Sequence, residues 1–198
     1  MSLPGASTAV SARLFSLLVL AALLLAGTTW AQDENYYPSS DGLSWTYSSG
    51  ETQTLSGPRE FEGIEVMVLT HYFDGTPVSE DYLLFNEGVS SLGSATGGKI
   101  VSYIPPLQVY APGPLSVGRR WESSTRVSGF EITLTAEVVA VRGVNTPAGR
   151  FNALQIRQVT TTSSGAQTSL DLYFVPGVGI VRFETNDGTV IDLIDRTF

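Results

Sequence analysis

The chain has 198 residues, no cysteine, a single histidine and a formal net charge of −8. With 19 acidic against 11 basic side chains and no basic tract, it repels phosphate backbones and anionic lipid surfaces, so nucleic-acid binding is disfavoured. One histidine and no thiol exclude the usual zinc ligand sets and any cysteine nucleophile.

The first segment in chain order is a leader. Arg13 precedes the apolar run Leu14–Ala26, and Thr29-Trp30-Ala31 places small residues at the −3 and −1 positions before Gln32, the pattern of a secretory signal peptide. A membrane anchor needs about 17–25 apolar residues, and this run has thirteen, Ser16 among them. Residues 1–31 are therefore expected to be a cleaved signal peptide and 32–198 a single β domain of 167 residues with a formal charge of −9. The expected location is periplasmic or extracellular, in soluble form, with no membrane span after cleavage. Without cysteine there is no thiol to acylate and no disulfide, so stability must come from a packed core. A domain of this size can bury roughly two-thirds of its unfolded surface.

Gln32–Asp41 is polar apart from Tyr36-Tyr37-Pro38 and predicts an extended lead-in whose tyrosines pack against the domain. Beyond it the signals are all β. Leu43, Trp45 and Tyr47 alternate in a half-buried strand, Leu43–Ser48. Ile64–Phe73 and Val78–Asn86 flank Asp74-Gly75 as a hairpin. Val89–Ser94 and Lys99–Ile104 are shorter strands. Pro105, Pro106, Pro112 and Pro114 each remove a ladder donor and predict an ordered surface crossover around Leu107–Ala111.

Phe130–Val141 is the clearest strand. Phe130, Ile132, Leu134, Ala136 and Val138 share one face, and Glu131, Thr133, Thr135 and Glu137 the other. Val139 and Val141 break the alternation and predict a bulge or a second packing surface. Phe151–Thr162, Ser169–Val175, Gly179–Thr185 and Val190–Thr197 follow, with Asn186-Asp187-Gly188 as a hairpin turn. No segment after the leader carries a helical period. The predicted fold class is all-β: a single curved antiparallel sheet, half-barrel or barrel-like, of about 9–11 strands.

Two segments match at an offset of 76 residues: Pro38–Trp45 and Pro114–Trp121 share P-x-S-x-G-x-x-W. Each is a turn that delivers a strand anchored by its tryptophan, with Gly42 or Gly118 supplying a left-handed angle. The repeat implies two similar β units side by side. Together with T-P-A-G-R-F at Thr146–Phe151 and F-V-P-G-V-G-I-V at Phe174–Val181, it resembles an exported bacterial all-β family of unknown function, TapB-like, distantly similar in outline to periplasmic lipoprotein-carrier half-barrels. The resemblance covers most of the chain from Tyr37 onward. It implies a curved antiparallel sheet and carries over no catalytic residue.

Any histidine-dependent catalysis would run through His71, which lies mid-strand near Glu65 and Asp74; with no G-x-S-x-G elbow it is expected to be structural or surface. Glu80, Asp81, Glu131 and Glu137 are the remote option of a carboxylate-dependent hydrolase. No catalytic residue, cofactor or metal ligand is assigned. Phe130, Ile132, Leu134, Leu170, Leu172 and Phe174 would line the concave side of the sheet, as a filled core or as a ligand cavity. The expected function is a non-enzymatic binding or structural module of the cell envelope holding an apolar ligand. The alternative is a protein-interaction module using a sheet edge or the proline-rich stretch Pro105–Pro114.

Overall fold

The computed structural model describes residues 36–198, and the predicted signal peptide lies outside the described residues. Twelve strands follow one another in chain order: β1 (Leu43–Tyr47), β2 (Glu51–Phe61), β3 (Ile64–Phe73), β4 (Thr76–Asn86), β5 (Gly88–Thr96), β6 (Lys99–Tyr110), β7 (Arg120–Val127), β8 (Phe130–Thr146), β9 (Gly149–Thr162), β10 (Gln167–Val175), β11 (Gly179–Thr185) and β12 (Val190–Arg196). Each pairs antiparallel with its chain neighbours, and β12 returns to β1, with Trp45 opposite Arg196. The sheet is thus a closed barrel rather than a half-barrel, and among the described residues no free edge remains for a partner strand.

The strand count exceeds the expected 9–11 because the sequence offers little β signal over β2, whose run E-T-Q-T-L-S-G-P-R-E-F is mostly polar. The prolines need a second correction. Pro105 and Pro106 lie inside β6, not in a crossover. They fall where the β5–β6 register jumps from Ser91↔Leu107 to Gly93↔Ser102, a bulge in which their missing N–H groups cost no ladder bond. The crossover is confined to the segment between Tyr110 and Arg120, which holds Pro112 and Pro114. A bulge also occurs where Val139 predicts one, between Val138 and Ala140 against β9.

The repeat has a structural counterpart. Six strands lie in each half, β1–β6 and β7–β12, and β1 and β7 stand opposite each other around the ring. Both tryptophans are buried, Trp45 and Trp121, and each indole N–H donates to a main-chain carbonyl, of Val178 at 2.6 Å and of Val109 at 3.1 Å. Gly42 and Gly118 both have positive φ, and their amides bond Leu55 and Val138 on the strand that follows in each half.

The main core lies inside the barrel and draws on both halves, with Leu55, Val138, Ile156, Phe174, Val181 and Leu193 wholly or almost wholly buried. A smaller cluster covers the opposite face of β2–β5, where Phe61 stacks on Tyr82 at 4.1 Å beside Val66, Val68 and Leu92. The outer face also carries ion pairs: Arg120–Glu137, Arg157–Asp171 and Arg182–Asp192 pair across neighbouring strands, and Arg59 on β2 reaches over β3 to Glu80 on β4.

Candidate functional site

The interior is not filled along its whole length. A cavity of about 290 Å³ opens inside the barrel above the main core. Its floor is aromatic. Tyr37 from the lead-in lies 5.4–5.9 Å from Phe85, Tyr110 and Phe174, ring centre to ring centre. The lead-in is held there by the Tyr36 hydroxyl donating to the Ala111 carbonyl at 2.5 Å and by the Gly177 amide donating to the Tyr36 carbonyl at 2.9 Å. Burial drives the phenols of Tyr37 and Tyr110 well above their ordinary pKa, so both stay neutral. The wall above is aliphatic, with Leu69, Leu83 and Val89 from one half and Leu170, Leu172 and Ile180 from the other.

Strand alternation explains why the opposite end is polar. In β2 the inward positions are Glu51, Gln53 and Leu55, and in β3 they are His71 and Leu69; Gln53 pairs with His71 and Leu55 with Leu69. Toward the hairpin ends of these strands the inward residues change from leucine to polar. His71 Nδ1 lies 2.6 Å from Glu51 Oε1, and His71 Nε2 lies 3.0 Å from Asp81 Oδ2 on β4. The Gln53 amide also donates to Glu51 Oε1 at 2.8 Å. Water reaches this end, since the His71 and Asp81 side chains are 19% and 37% exposed.

Burial alone would lower the His71 pKa, but the hydrogen bonds and charges of Asp81 and Glu51 outweigh it and raise it to about 9. The imidazole is therefore protonated at neutral pH. Its bond to Glu51 is the main reason that carboxyl is held below the usual range. With both ring nitrogens spent on carboxylates, His71 offers no free lone pair to activate a nucleophile. Ser91, also on the cavity wall, donates to the Gly93 carbonyl at 3.1 Å. Gln158 completes the polar end, and its amide nitrogen is buried with no hydrogen-bond partner among the described residues.

Of the residues expected on the concave side, Leu170 and Leu172 line the cavity, while Leu134 and Phe174 belong to the filled core beneath and beside it. Ile132 is half-buried, and Phe130 departs from expectation: it sits at the end of β8 and is 57% exposed. Filled core and open cavity therefore coexist at different depths. The carboxylates of the hydrolase option do not converge. Glu80 and Asp81, adjacent on β4, point to opposite faces, Glu80 to Arg59 and Tyr82 and Asp81 to His71. Glu131 and Glu137 are six residues apart on one strand, about 20 Å at the usual rise, well beyond the roughly 5–9.5 Å that a glycosidase pair spans. Asn186-Asp187-Gly188 forms the β11–β12 turn, with Asp187 accepting from the Thr185 hydroxyl and the Thr189 amide; those bonds hold its carboxyl at about 2. Among the described residues no group of three or more His, Cys, Asp or Glu side chains is arranged to hold a metal ion.

No family model and no curated protein matches the chain, so the TapB-like resemblance rests on its turn motifs. Two solved structures are similar. One is a candidate lipoprotein from Parabacteroides distasonis, at 13% identity and a TM-score of 0.49. The other is a candidate exported protein with a YmcC-like fold from Bacteroides fragilis, at 15% identity and a TM-score of 0.48. Each alignment covers 82% of this chain and 98% of the other.

Proposed function

We propose that this chain is an exported, non-enzymatic binding module of the cell envelope that holds an apolar ligand inside its barrel. The observation that carries this reading is the cavity, with an aromatic floor, an aliphatic wall and one water-accessible polar end. Ligand sites share that plan, mostly apolar lining with a few convergent polar groups. The ionic outer face supports a barrel standing in water, since a membrane barrel turns an apolar band outward. The volume lies near the lower end of the roughly 300–1,000 Å³ of small-molecule sites, which suits one short chain or a compact ring system and not the several acyl chains of a lipoprotein anchor.

Native mass spectrometry of protein purified from its own host, followed by organic extraction, tests this. A bound small molecule that is lost when Leu172→Trp fills the cavity is the expected result; protein consistently free of ligand, and unable to take up apolar probes, would defeat it.

One observation favours a second reading, a protein-docking surface on the proline-containing stretch. Ile104 is 69% exposed beside Pro105, on the rim of a depression of about 350 Å³ that Arg126 and Glu131 also line. A pull-down that survives Leu172→Trp but fails with Ile104→Asp would select this reading over the first.

A further inference from the structure

We propose that the polar end of the cavity selects a monocationic amphiphile, seating a protonated amine on Asp81 with the apolar body against the leucine wall, in preference to a carboxylate of equal length. The inference rests on the ligand-holding reading above and names the chemical class of its ligand.

The charge count at the site leads to this class. Both ring nitrogens of His71 lie within hydrogen-bond distance of a carboxylate oxygen, one from Glu51 and one from Asp81. A proton must sit on each nitrogen for both contacts to be attractive. Two carboxylates and one imidazolium leave the trio with a net charge of −1. Nothing else lining the cavity offsets it: the remaining polar groups, Gln53, Ser91, Gln158 and the hydroxyls of Tyr37, Tyr103 and Tyr110, are neutral, and no lysine or arginine lines the space.

Unused hydrogen-bonding capacity points the same way. Asp81 lines the cavity and gives only Oδ2 to His71, and its Oδ1 accepts nothing from the described residues. An ammonium group brings donors and no acceptor, which matches an oxygen in need of a donor and a site in need of one positive charge. A ligand carboxylate would instead face Asp81, with Glu51 behind His71 adding to the repulsion, and would find only neutral donors, the Tyr37 and Tyr110 hydroxyls and the buried Gln158 amide nitrogen. The leucine wall lowers the local dielectric and strengthens the discrimination in both directions. An alcohol, which can donate to Asp81 without adding charge, should fall between the two.

The test uses three probes that share one tail, octylammonium, 1-octanol and octanoate, titrated calorimetrically at pH 7 into the full chain purified from its host. Octylammonium should bind about tenfold more tightly than octanol, from one charge pair at partial solvent exposure, and octanoate should bind most weakly. In Asp81→Asn the ammonium-to-alcohol ratio should fall at least about fivefold. Octanoate binding as tightly as octylammonium, or a ratio unmoved in Asp81→Asn, overturns the inference. The wild-type order among the three probes decides the matter even if the variant folds poorly. The outcomes also separate the two levels: three probes bound alike defeat the headgroup preference alone, whereas no binding by any probe defeats the ligand-holding reading with it.

Discussion

His71 is the residue on which charge, burial and strand alternation meet. Its folded-state pKa of about 9 lies above the ordinary value of 6.5, so its contribution to stability is complete below about pH 6.5 and is lost as the pH rises through 9. That contribution is on the order of 2–3 kcal/mol for a group this enclosed. Urea unfolding should show stability falling between pH 7 and 9.5 in the wild type, and His71→Gln should remove most of that slope. Thr125 poses the opposite problem, because it is 1% exposed and its hydroxyl has no partner among the described residues. Replacing an orphan buried hydroxyl by a methyl of the same shape removes a desolvation penalty, so Thr125→Val should stabilise by about 1 kcal/mol. A urea midpoint that falls instead would show that the hydroxyl is satisfied in solution.

Among the elements, the turns follow from their sequence and β2 does not. Gly179, within F-V-P-G-V-G, has a φ of +96°, and a Cβ placed there would come within 3.3 Å of the Trp45 indole nitrogen. Its side of the β10–β11 turn therefore needs both the backbone angle and the space. Gly179→Ala should cost about 2 kcal/mol from the left-handed backbone and displacement of the tryptophan, measurable in urea. Gly93 in β5 is constrained by contact alone, since a Cβ would lie 2.4 Å from the Val101 carbonyl oxygen and 2.9 Å from the ring of Phe61. β8 was legible because five apolar residues alternate with four polar ones along it. β2 was not, because its inward positions include Glu51 and Gln53, and period-2 alternation is recognised by apolar side chains. The polarity that hid the strand is also the chemistry of the site. Its one signal is the spacing of Glu51, Gln53 and Leu55, which acquires meaning once β3 presents His71 and Leu69 opposite.

At the scale of the whole molecule the ring is uneven. β8 and β9 pair through fourteen residues of register, whereas β6 and β7 share one, Ile104↔Arg126. Hydrogen exchange should reflect this, with the amides of Ile104, Leu107 and Gln108 exchanging at least about tenfold faster than those of Val138–Val144; equal protection would mean that the two seams open together. Fold class and the twofold repeat could be read from the chain, because both are written in local patterns of alternation and turn residues. Closure of the barrel and convergence of Glu51, His71 and Asp81 could not, because each depends on register between strands that no short window contains.

The twofold construction has a consequence for how the chain could be divided. The link between β6 and β7 is a mostly exposed segment with Pro112, Gly113 and Pro114, and a cut there would separate six strands from six. Each fragment alone would carry two raw edges and half of an aliphatic wall, and would aggregate. Expressed together, the pieces supply each other's missing edges and should reassemble into one barrel, a split protein whose complementation reports on the wall that encloses the cavity.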